Sequence, residues 1–148
     1  MSCGVLPAMN DEFEYVVKIP KERIAIVIGT KGEIKTRLEK ATSTKIDVDS
    51  QEGDIRIRGS DALQLYLLRE IVRAIGRGFS PDTALSLQKP DMGLEVWPIT
   101  AKTKNEFIRI RGRLIGEEGK SRRIIEELTG VNMSVYGKTV SIIGSFED

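Results

Sequence analysis

Two stretches of the sequence decide how the chain is organised: residues 26–37 read IVIGTKGEIKTR, and residues 113–123 read RLIGEEGKSRR. Both contain Ile-Gly-x-x-Gly followed by a run that is typical of a helix. The first has Thr-Lys between its glycines, whereas the second has Glu-Glu. Because glycine has no Cβ, such a turn lets backbone approach a ligand closely. The pattern indicates two related turns that differ in side-chain charge.

The two turns belong to a longer internal repeat. With Gly29 aligned to Gly116, the matched pairs are Ile28/Ile115, Gly32/Gly119, Leu38/Ile125, Glu39/Glu126, Thr42/Thr129, Ile46/Met133 and Val48/Val135. After a slip of two residues, the matched pairs are Ile57/Ile142, Gly59/Gly144 and Ser60/Ser145. Loops tolerate length differences, so we expect the slip to lie in a loop before a strand. The sequence therefore predicts two copies of one supersecondary unit.

Local patterns in the first copy predict the order strand, helix, helix, strand, strand, helix. The strands are EYVVKI, TKIDVD and DIRIRGS, in which β-branched residues are enriched or alternate with charged ones. One helix begins at Pro20 and ends at the glycines, and a second begins at Glu33. A third helix over residues 61–78 is expected to use Ser60 as its cap. Its buried face is predicted from apolar residues at every fourth position, namely Leu63, Leu67, Ile71 and Ile75.

The second copy follows a connector with its own helix signal. Phe79-Ser80-Pro81 predicts a short helix, because serine caps well and proline is favoured at the first helical position. We then expect strands at LEVWPIT, NMSVY and TVSIIG, and helices over KNEFIRIRGRLIG and KSRRIIEELTG. The sequence stops where the last helix of the first copy begins, so we expect the second copy to lack that helix.

These patterns predict an N-terminal tail over residues 1–12, a first module over 13–78, a linker with a short helix over 79–93 and a second module over 94–148. The chain of 148 residues is 40% apolar and 30% charged, which is a globular composition. No apolar run approaches the roughly 18 residues of a membrane span, and no signal-peptide pattern is visible. We therefore expect a cytoplasmic protein without membrane contact. With no histidine and one cysteine, an ordinary zinc site is excluded.

Basic residues cluster around both turns, although the net charge is only +1. The stretch from Gly29 to Lys45 contains five Lys or Arg and two Glu. The stretch from Arg109 to Arg123 contains six Lys or Arg and two Glu. A solvated surface with ion pairs explains either cluster alone. Two clusters at matching positions favour an anionic ligand.

The repeated pattern resembles the KH domain of the strand-helix-helix-strand-strand-helix type. After Ile-Gly-x-x-Gly, both copies have an apolar residue six positions on, Thr at ten and an apolar strand residue at fourteen. The resemblance covers residues 13–78 and 94–148. It implies an α+β fold of two tandem type I KH domains, the second without its C-terminal helix. One departure is shared, because a position usually apolar in KH domains is Lys35 in the first copy and Arg122 in the second.

The connector GFSPDTALSLQKPDMGLEVWPIT, taken with the second copy, is similar to the archaeal Partner-of-Nob family of small ribosomal subunit assembly factors. This resemblance implies binding to single-stranded small-subunit ribosomal RNA near its 3′ end. It also implies work beside the Nob-type endonuclease and other assembly or translation initiation factors. It implies no catalytic residue, no metal and no cofactor. The second module of that family continues beyond the equivalent of SFED, so this chain looks truncated.

The KH resemblance also assigns RNA contacts, because a KH turn clamps the backbone of about four single-stranded nucleotides. The RNA-binding residues expected in the first module are Val27, Gly29, Thr30, Lys31, Gly32, Lys35 and Ile46. Those expected in the second are Arg113, Leu114, Gly116, Glu117, Glu118, Gly119, Lys120 and Arg123, with Met133 as a further candidate. The apolar members would carry bases, whereas core packing is an open alternative for Ile46 and Met133.

The glutamates of the second turn have two interpretations. A carboxylate at a helix N-terminus is stabilised by about 0.3–1 kcal/mol, so Glu117 and Glu118 fit a structural role while basic neighbours still attract phosphate. Alternatively, this turn contacts a protein.

Other functions fit less well. A metal-dependent nuclease would rest on the carboxylates of Asp47, Asp49, Glu52 and Asp54, which fall on a strand and a variable loop with no general base in view. Nucleotide binding lacks both the Walker pattern and Gly-x-Gly-x-x-Gly. A protein-interaction scaffold in which only one module binds RNA is the remaining alternative.

Overall fold

Each copy of the repeat forms its own three-stranded antiparallel sheet with helices packed on it. The computed structural model describes residues 12–145, and the chain divides into two units after Gly76. In the first unit the strands are β1 (Phe13–Lys18), β2 (Lys45–Asp49) and β3 (Asp54–Gly59), in the spatial order β1-β3-β2. Its helices are α1 (Lys21–Ile28), α2 (Glu33–Thr42) and α3 (Ala62–Gly76). The order predicted for the first copy is confirmed.

The second unit repeats this plan after a short helix, α4 (Pro81–Leu85). Its strands are β4 (Met92–Pro98), β5 (Asn132–Tyr136) and β6 (Thr139–Ser145), in the order β4-β6-β5. Its remaining helices are α5 (Lys104–Ile115) and α6 (Lys120–Thr129). Within residues 12–145 no helix follows β6.

Alternation along the strands builds the first core. Ile57 lies opposite both Ile46 and Tyr15, and Ile55 lies opposite Val48 and Val17. Ile46, Ile55 and Ile57 are buried, whereas Arg56 is exposed on the opposite face. The predicted alternation of DIRIRGS is therefore confirmed, because successive strand side chains point to opposite faces.

Helix α3 differs from its prediction in two respects. Asp61 Oδ1 accepts hydrogen bonds from the N–H groups of Leu63 and Gln64 at 3.0 and 3.3 Å, so the cap is Asp61 and the expectation for Ser60 was wrong by one residue. Of the predicted row, Ile71 and Ile75 are buried, whereas Leu67 is partly exposed and Leu63 is 64% exposed. The buried face also includes Leu65, Leu68 and Val72. A helix has 3.6 residues per turn, so a row taken at every fourth position drifts around it, while spacings of three and four keep to one face.

The connector is attached to the second sheet. Ser80 caps α4 by accepting the Thr83 N–H at 3.2 Å, with Pro81 at the first helical position, as predicted. Ser134 Oγ on β5 donates to the Arg77 carbonyl at 2.8 Å. Phe79 and Leu87 are buried. Residues that follow α3 therefore contribute to the second core.

The helices of the second unit are much more exposed than those of the first. Leu38 on α2 is fully buried, whereas its repeat partner Ile125 on α6 is 37% exposed and Leu128 is 80% exposed. In the first unit, α3 packs against β1, β3, α1 and α2. Among the described residues the second unit has no counterpart of α3, and this explains the open apolar face of α6.

Candidate nucleic-acid interface

The two glycine turns have the same backbone conformation. The φ and ψ angles are 75° and 177° at Gly29, and 75° and 173° at Gly116. The third turn residue is left-handed in both copies, with φ 56° at Lys31 and φ 53° at Glu118. Each turn is a short 3₁₀ segment, Thr30–Gly32 or Glu117–Gly119, that leads directly into the next α-helix. Opposite side-chain charge has therefore left the main chain unchanged.

Both the backbone angles and the lack of space for a Cβ require glycine at the first position of each turn. Its φ is positive with ψ near 180°, a region that is essentially restricted to glycine. A Cβ at Gly29 would lie 2.5 Å from Ile34 Cγ1 and 2.8 Å from Ile34 N, and one at Gly116 would lie 2.5 Å from Ser121 N. The last glycine differs, because a Cβ at Gly32 meets nothing within 4 Å. The space beside Gly32 is open, as a site for a close ligand requires.

Hydrogen bonds inside the turn use three N–H groups. Gly29 N–H donates to Ala25 O at 2.8 Å, Gly32 N–H donates to Gly29 O at 3.2 Å, and Glu33 N–H donates to Thr30 O. The second turn has the same bonds, at 2.8 Å from Gly116 to Gly112 O and at 3.2 Å from Gly119 to Gly116 O. The N–H groups of the two central residues take no part in these bonds. Helix N-termini with available N–H groups bind anions well.

The predicted polar contacts of the first module lie at the surface. Thr30 and Lys31 are exposed on the turn, and Lys35 lies one helical turn further along α2 and is partly exposed. No carboxylate lies between the two glycines. The structure therefore brings backbone, hydroxyl and ammonium groups together at the start of α2.

The second module presents both charges. Arg113, Lys120 and Arg123 are exposed around the turn, and so are Glu117 and Glu118. Among the described residues, neither glutamate carboxylate makes a hydrogen bond or an ion pair. Both carboxylates precede the first residue of α6, where the helix dipole favours negative charge. The two interpretations of these glutamates therefore both remain compatible with the geometry.

The predicted apolar contacts are largely core residues. Val27 and Ile46 are 0% and 1% exposed, and Met133 is 4% exposed. This differs from the open platform that was predicted, because these three side chains are buried. Leu114 is half-buried, as are Ile28 and Ile115, which directly precede the first glycines. The sequence prediction missed these two isoleucines, although each is part of the quoted motif.

The prediction also missed a bond that occurs in both modules. Glu39 Oε2 on α2 accepts the Ile46 N–H at 2.8 Å, and Glu126 Oε2 on α6 accepts the Met133 N–H at 2.9 Å. The alignment of Glu39 with Glu126 was the available signal. The role of these two glutamates depends on how closely a helix approaches a strand edge, and sequence spacing alone does not predict that distance.

Three of the four carboxylates considered for a nuclease have other partners. Asp47 pairs with Arg58 at 2.9 Å, Asp54 pairs with Lys18 at 3.3 Å, and Asp49 accepts backbone N–H groups of the β2–β3 loop. Within residues 12–145 no three His, Cys, Asp or Glu side chains converge as a metal site would require. In the same part of the chain, no helix combines the length and apolar character needed to cross a membrane.

Comparisons with known proteins agree with the repeat. A model of the KH domain matches residues 14–74, and a model described as the eukaryotic-type KH domain (KH domain type I) matches residues 94–148. The two matches together define a protein of two type I KH modules, which confirms the predicted fold class. The residues matched to each model fall on either side of the connector.

Solved structures place the chain in a particular family. Dim2p from Pyrococcus horikoshii is 47% identical and superposes with a TM-score of 0.84 over 90% of this chain and 82% of that one. The P. horikoshii complex of a/eIF2α, aDim2p and rRNA matches with 47% identity and a TM-score of 0.85, over 91% of this chain and 77% of that one. The chain belongs to the archaeal Partner-of-Nob family of KH proteins.

Two further relatives are similar to this chain over most of its length. A protein of unknown function from Aeropyrum pernix is 35% identical, with a TM-score of 0.86 over 93% of this chain and 76% of that one. A KH domain-containing protein of Methanocaldococcus jannaschii is 47% identical over 144 residues. This chain spans 63% of the length of that curated relative.

Proposed function

We propose that the protein binds single-stranded RNA at its glycine turns and acts in assembly of the small ribosomal subunit. The observation that carries this proposal is the shared conformation of the two turns, with positive φ at both glycines and at the second of the two residues between them. In each turn the N–H groups of the two central residues take no part in the turn's own hydrogen bonds and directly precede a helix, as a phosphate clamp requires. The two turns are therefore assigned the same role despite their different side chains.

The ribosomal target is supported by the relatives. One of them, aDim2p, is named in a complex with rRNA and a/eIF2α. By extension, the RNA bound here is the single-stranded 3′ region of small-subunit rRNA, and the work is cytoplasmic. The protein partners are the Nob-type endonuclease and other assembly or translation initiation factors. We assign cleavage to that endonuclease, because Asp47, Asp54 and Asp49 are bound to Arg58, Lys18 and the β2–β3 loop respectively.

The test is a fluorescence titration with a labelled single-stranded oligonucleotide from the 3′ end of small-subunit rRNA. The same oligonucleotide annealed to its complement is the control, because a duplex hides the Watson–Crick edges that KH modules read. We expect the single strand to bind at least about tenfold more tightly, a difference of about 1.4 kcal/mol. Equal binding of both forms, or no binding of either, would overturn the proposal.

A second candidate is a scaffold in which only the first module binds RNA. It is favoured by one observation, the two exposed carboxylates at Glu117 and Glu118. Crosslinking of the bound oligonucleotide, with the crosslinked peptides identified, separates the two candidates. Crosslinks near Gly32 and near Gly119 support two RNA-binding modules, whereas crosslinks near Gly32 alone support the scaffold.

A further inference from the structure

The edge of the first sheet that follows α2 carries a carboxylate at a specific backbone position. Strand β2 is an edge strand, and Ile46 is its second residue. The Ile46 N–H points away from β3, because it donates to Glu39 Oε2 at 2.8 Å. A ligand that approaches this edge therefore meets the Glu39 carboxylate and not the Ile46 N–H. The edge offers a hydrogen-bond acceptor at a position where a strand edge would otherwise offer a donor.

The second module contains the same bond, so the bond is a shared feature of both copies of the repeat. Glu126 Oε2 accepts the Met133 N–H at 2.9 Å, seven residues further along the chain, as in the first module. The surroundings differ in one respect. Glu126 Oε1 lies 3.8 Å from Arg122 Nε, whereas Glu39 has no ion-pair partner among the described residues. The acceptor of the first module is therefore the more available one.

Glu39 also lies in line with the phosphate-binding turn. Lys35 and Glu39 are four residues apart on α2 and share one face of the helix, and Gly32 directly precedes its first residue. Seven residues separate Gly32 from Glu39, which is about 10 Å along a helix axis. Glu39 is partly buried and close to the strand edge. An RNA strand whose phosphates are held at the turn, and which runs along this face, would place a base beside Glu39.

We propose that Glu39 determines base specificity in the first module by accepting a hydrogen bond from an exocyclic amino group. A carboxylate has two oxygens, and the bond to Ile46 uses only Oε2, so Oε1 is the acceptor that faces the ligand. Cytosine and adenine offer such an amino donor, at N4 and N6, whereas uracil has the O4 acceptor at the corresponding position. This inference rests on the proposed RNA binding and adds the base class that the site selects.

The first experiment needs only the wild-type chain. Each position of the single-stranded oligonucleotide is occupied in turn by cytosine, by uracil and by pyrimidin-2-one, which lacks the 4-amino group. We expect one position at which cytosine binds about tenfold more tightly than either alternative, because a hydrogen bond to a charged group is lost there. Binding with no such position would overturn the inference while leaving the RNA-binding function intact. No binding of any oligonucleotide would overturn the function itself.

The second experiment assigns that position to Glu39. In Glu39→Gln the amide oxygen can still accept the Ile46 N–H, while the amide NH₂ now faces the base as a donor. We expect the cytosine preference at that position to disappear or to change to uracil. Glu14→Gln is the matched control, because Glu14 is exposed on β1 at the opposite edge of the sheet and its replacement changes the net charge equally. This control should keep the full preference.

A third variant tests whether the Glu39 carboxylate recognises a base or only blocks the Ile46 N–H. If the carboxylate only blocks the Ile46 N–H, Glu39→Ala will tighten binding of cytosine and uracil alike, and the inference is overturned. If the carboxylate reads the base, Glu39→Ala will lose the cytosine preference without a gain for uracil. A cytosine preference that persists in both Glu39 variants would also overturn the inference.

Discussion

At the scale of single residues, the glycines of the turns have unequal roles. Gly29 combines a positive φ with the absence of room for a Cβ, whereas Gly32 has the positive φ alone. Gly116 and Gly119 repeat this contrast in the second module, where the nearest atom to a Cβ at Gly119 is Arg123 Nη1 at 3.6 Å. The side chains between the glycines differ in charge in the two copies, whereas the backbone angles of the turns are the same.

The glycine contrast predicts unequal losses of stability. Gly29→Ala should lower the free energy of unfolding of the first module by about 3 kcal/mol or more, since a strained backbone costs about 1–3 kcal/mol before any clash is counted. Gly32→Ala should cost about 1–2 kcal/mol, the usual penalty of a left-handed residue. Urea unfolding followed by circular dichroism measures both values.

The same substitution at Gly112 is the control. Gly112 lies inside α5, and a Cβ there meets nothing within 4 Å. Alanine should therefore stabilise the second module by about 0.5–1 kcal/mol. Equal losses at Gly29 and Gly32 would contradict the description of the turn.

At the scale of elements, α2 and α6 have related sequences and different environments. Thr42 and Thr129 each donate to the carbonyl four residues earlier, at 2.8 and 2.6 Å, and each helix ends in a left-handed residue. Leu38 nevertheless lies in a closed core, whereas α6 leaves Leu128 almost fully exposed. Internal hydrogen bonding is thus conserved between the copies, and the difference between them is one of packing.

Truncation of one leucine on each helix should show this difference. Leu38→Ala should cost about 2–5 kcal/mol, since it leaves a cavity in a packed core. Leu128→Ala should change stability by no more than about 0.5 kcal/mol in this 148-residue chain, because the side chain is already in solvent. Denaturant midpoints of the two variants provide the comparison, and a similar loss in both would show that the face of α6 is covered in solution.

Hydrogen exchange should report the same contrast across whole helices. Neither α5 nor α6 contains a buried residue, whereas α1 and α2 bury Ile24, Val27, Leu38 and Thr42. Few buried contacts imply a low free energy of local opening. We expect amides in α5 and α6 to exchange faster than those in α1 and α2. Equal protection of the two pairs of helices would be inconsistent with the open face.

The sequence predicted features that depend on local chemistry. Both turns, the order of strands and helices, the Ser80 cap and the alternation around Ile55 and Ile57 follow from residue type and spacing, and all are present. Two details of α3 were missed, because Ser60 and Asp61 both cap well and because a four-residue row drifts from the true face. The bond from Glu39 to the Ile46 N–H and the burial of Val27 depend on tertiary packing, which no local pattern specifies.

At the scale of the whole molecule, basic side chains cluster around the two turns where we propose that RNA binds, although the chain has almost no net charge. A net charge of +1 coexists with basic side chains around both turns. Under the proposed function, backbone N–H groups at these turns bind phosphate, and nearby cations add a salt-dependent contribution. We therefore expect the two carboxylates beside the second turn to lower its affinity for RNA.

Exchange of the charges at the two turns tests whether both turns bind phosphate. The variant Thr30→Asp with Lys31→Asp places two carboxylates in the first turn, and Glu117→Lys with Glu118→Lys removes two from the second. Both are titrated with the single-stranded 3′ rRNA oligonucleotide at two salt concentrations. Our account predicts at least about tenfold weaker binding for the first variant and tighter binding for the second, with the logarithmic salt slope steeper by roughly 0.7 for each added phosphate contact. Unchanged binding by the first variant, or weaker binding by the second, would contradict the assignment of the turns as phosphate clamps.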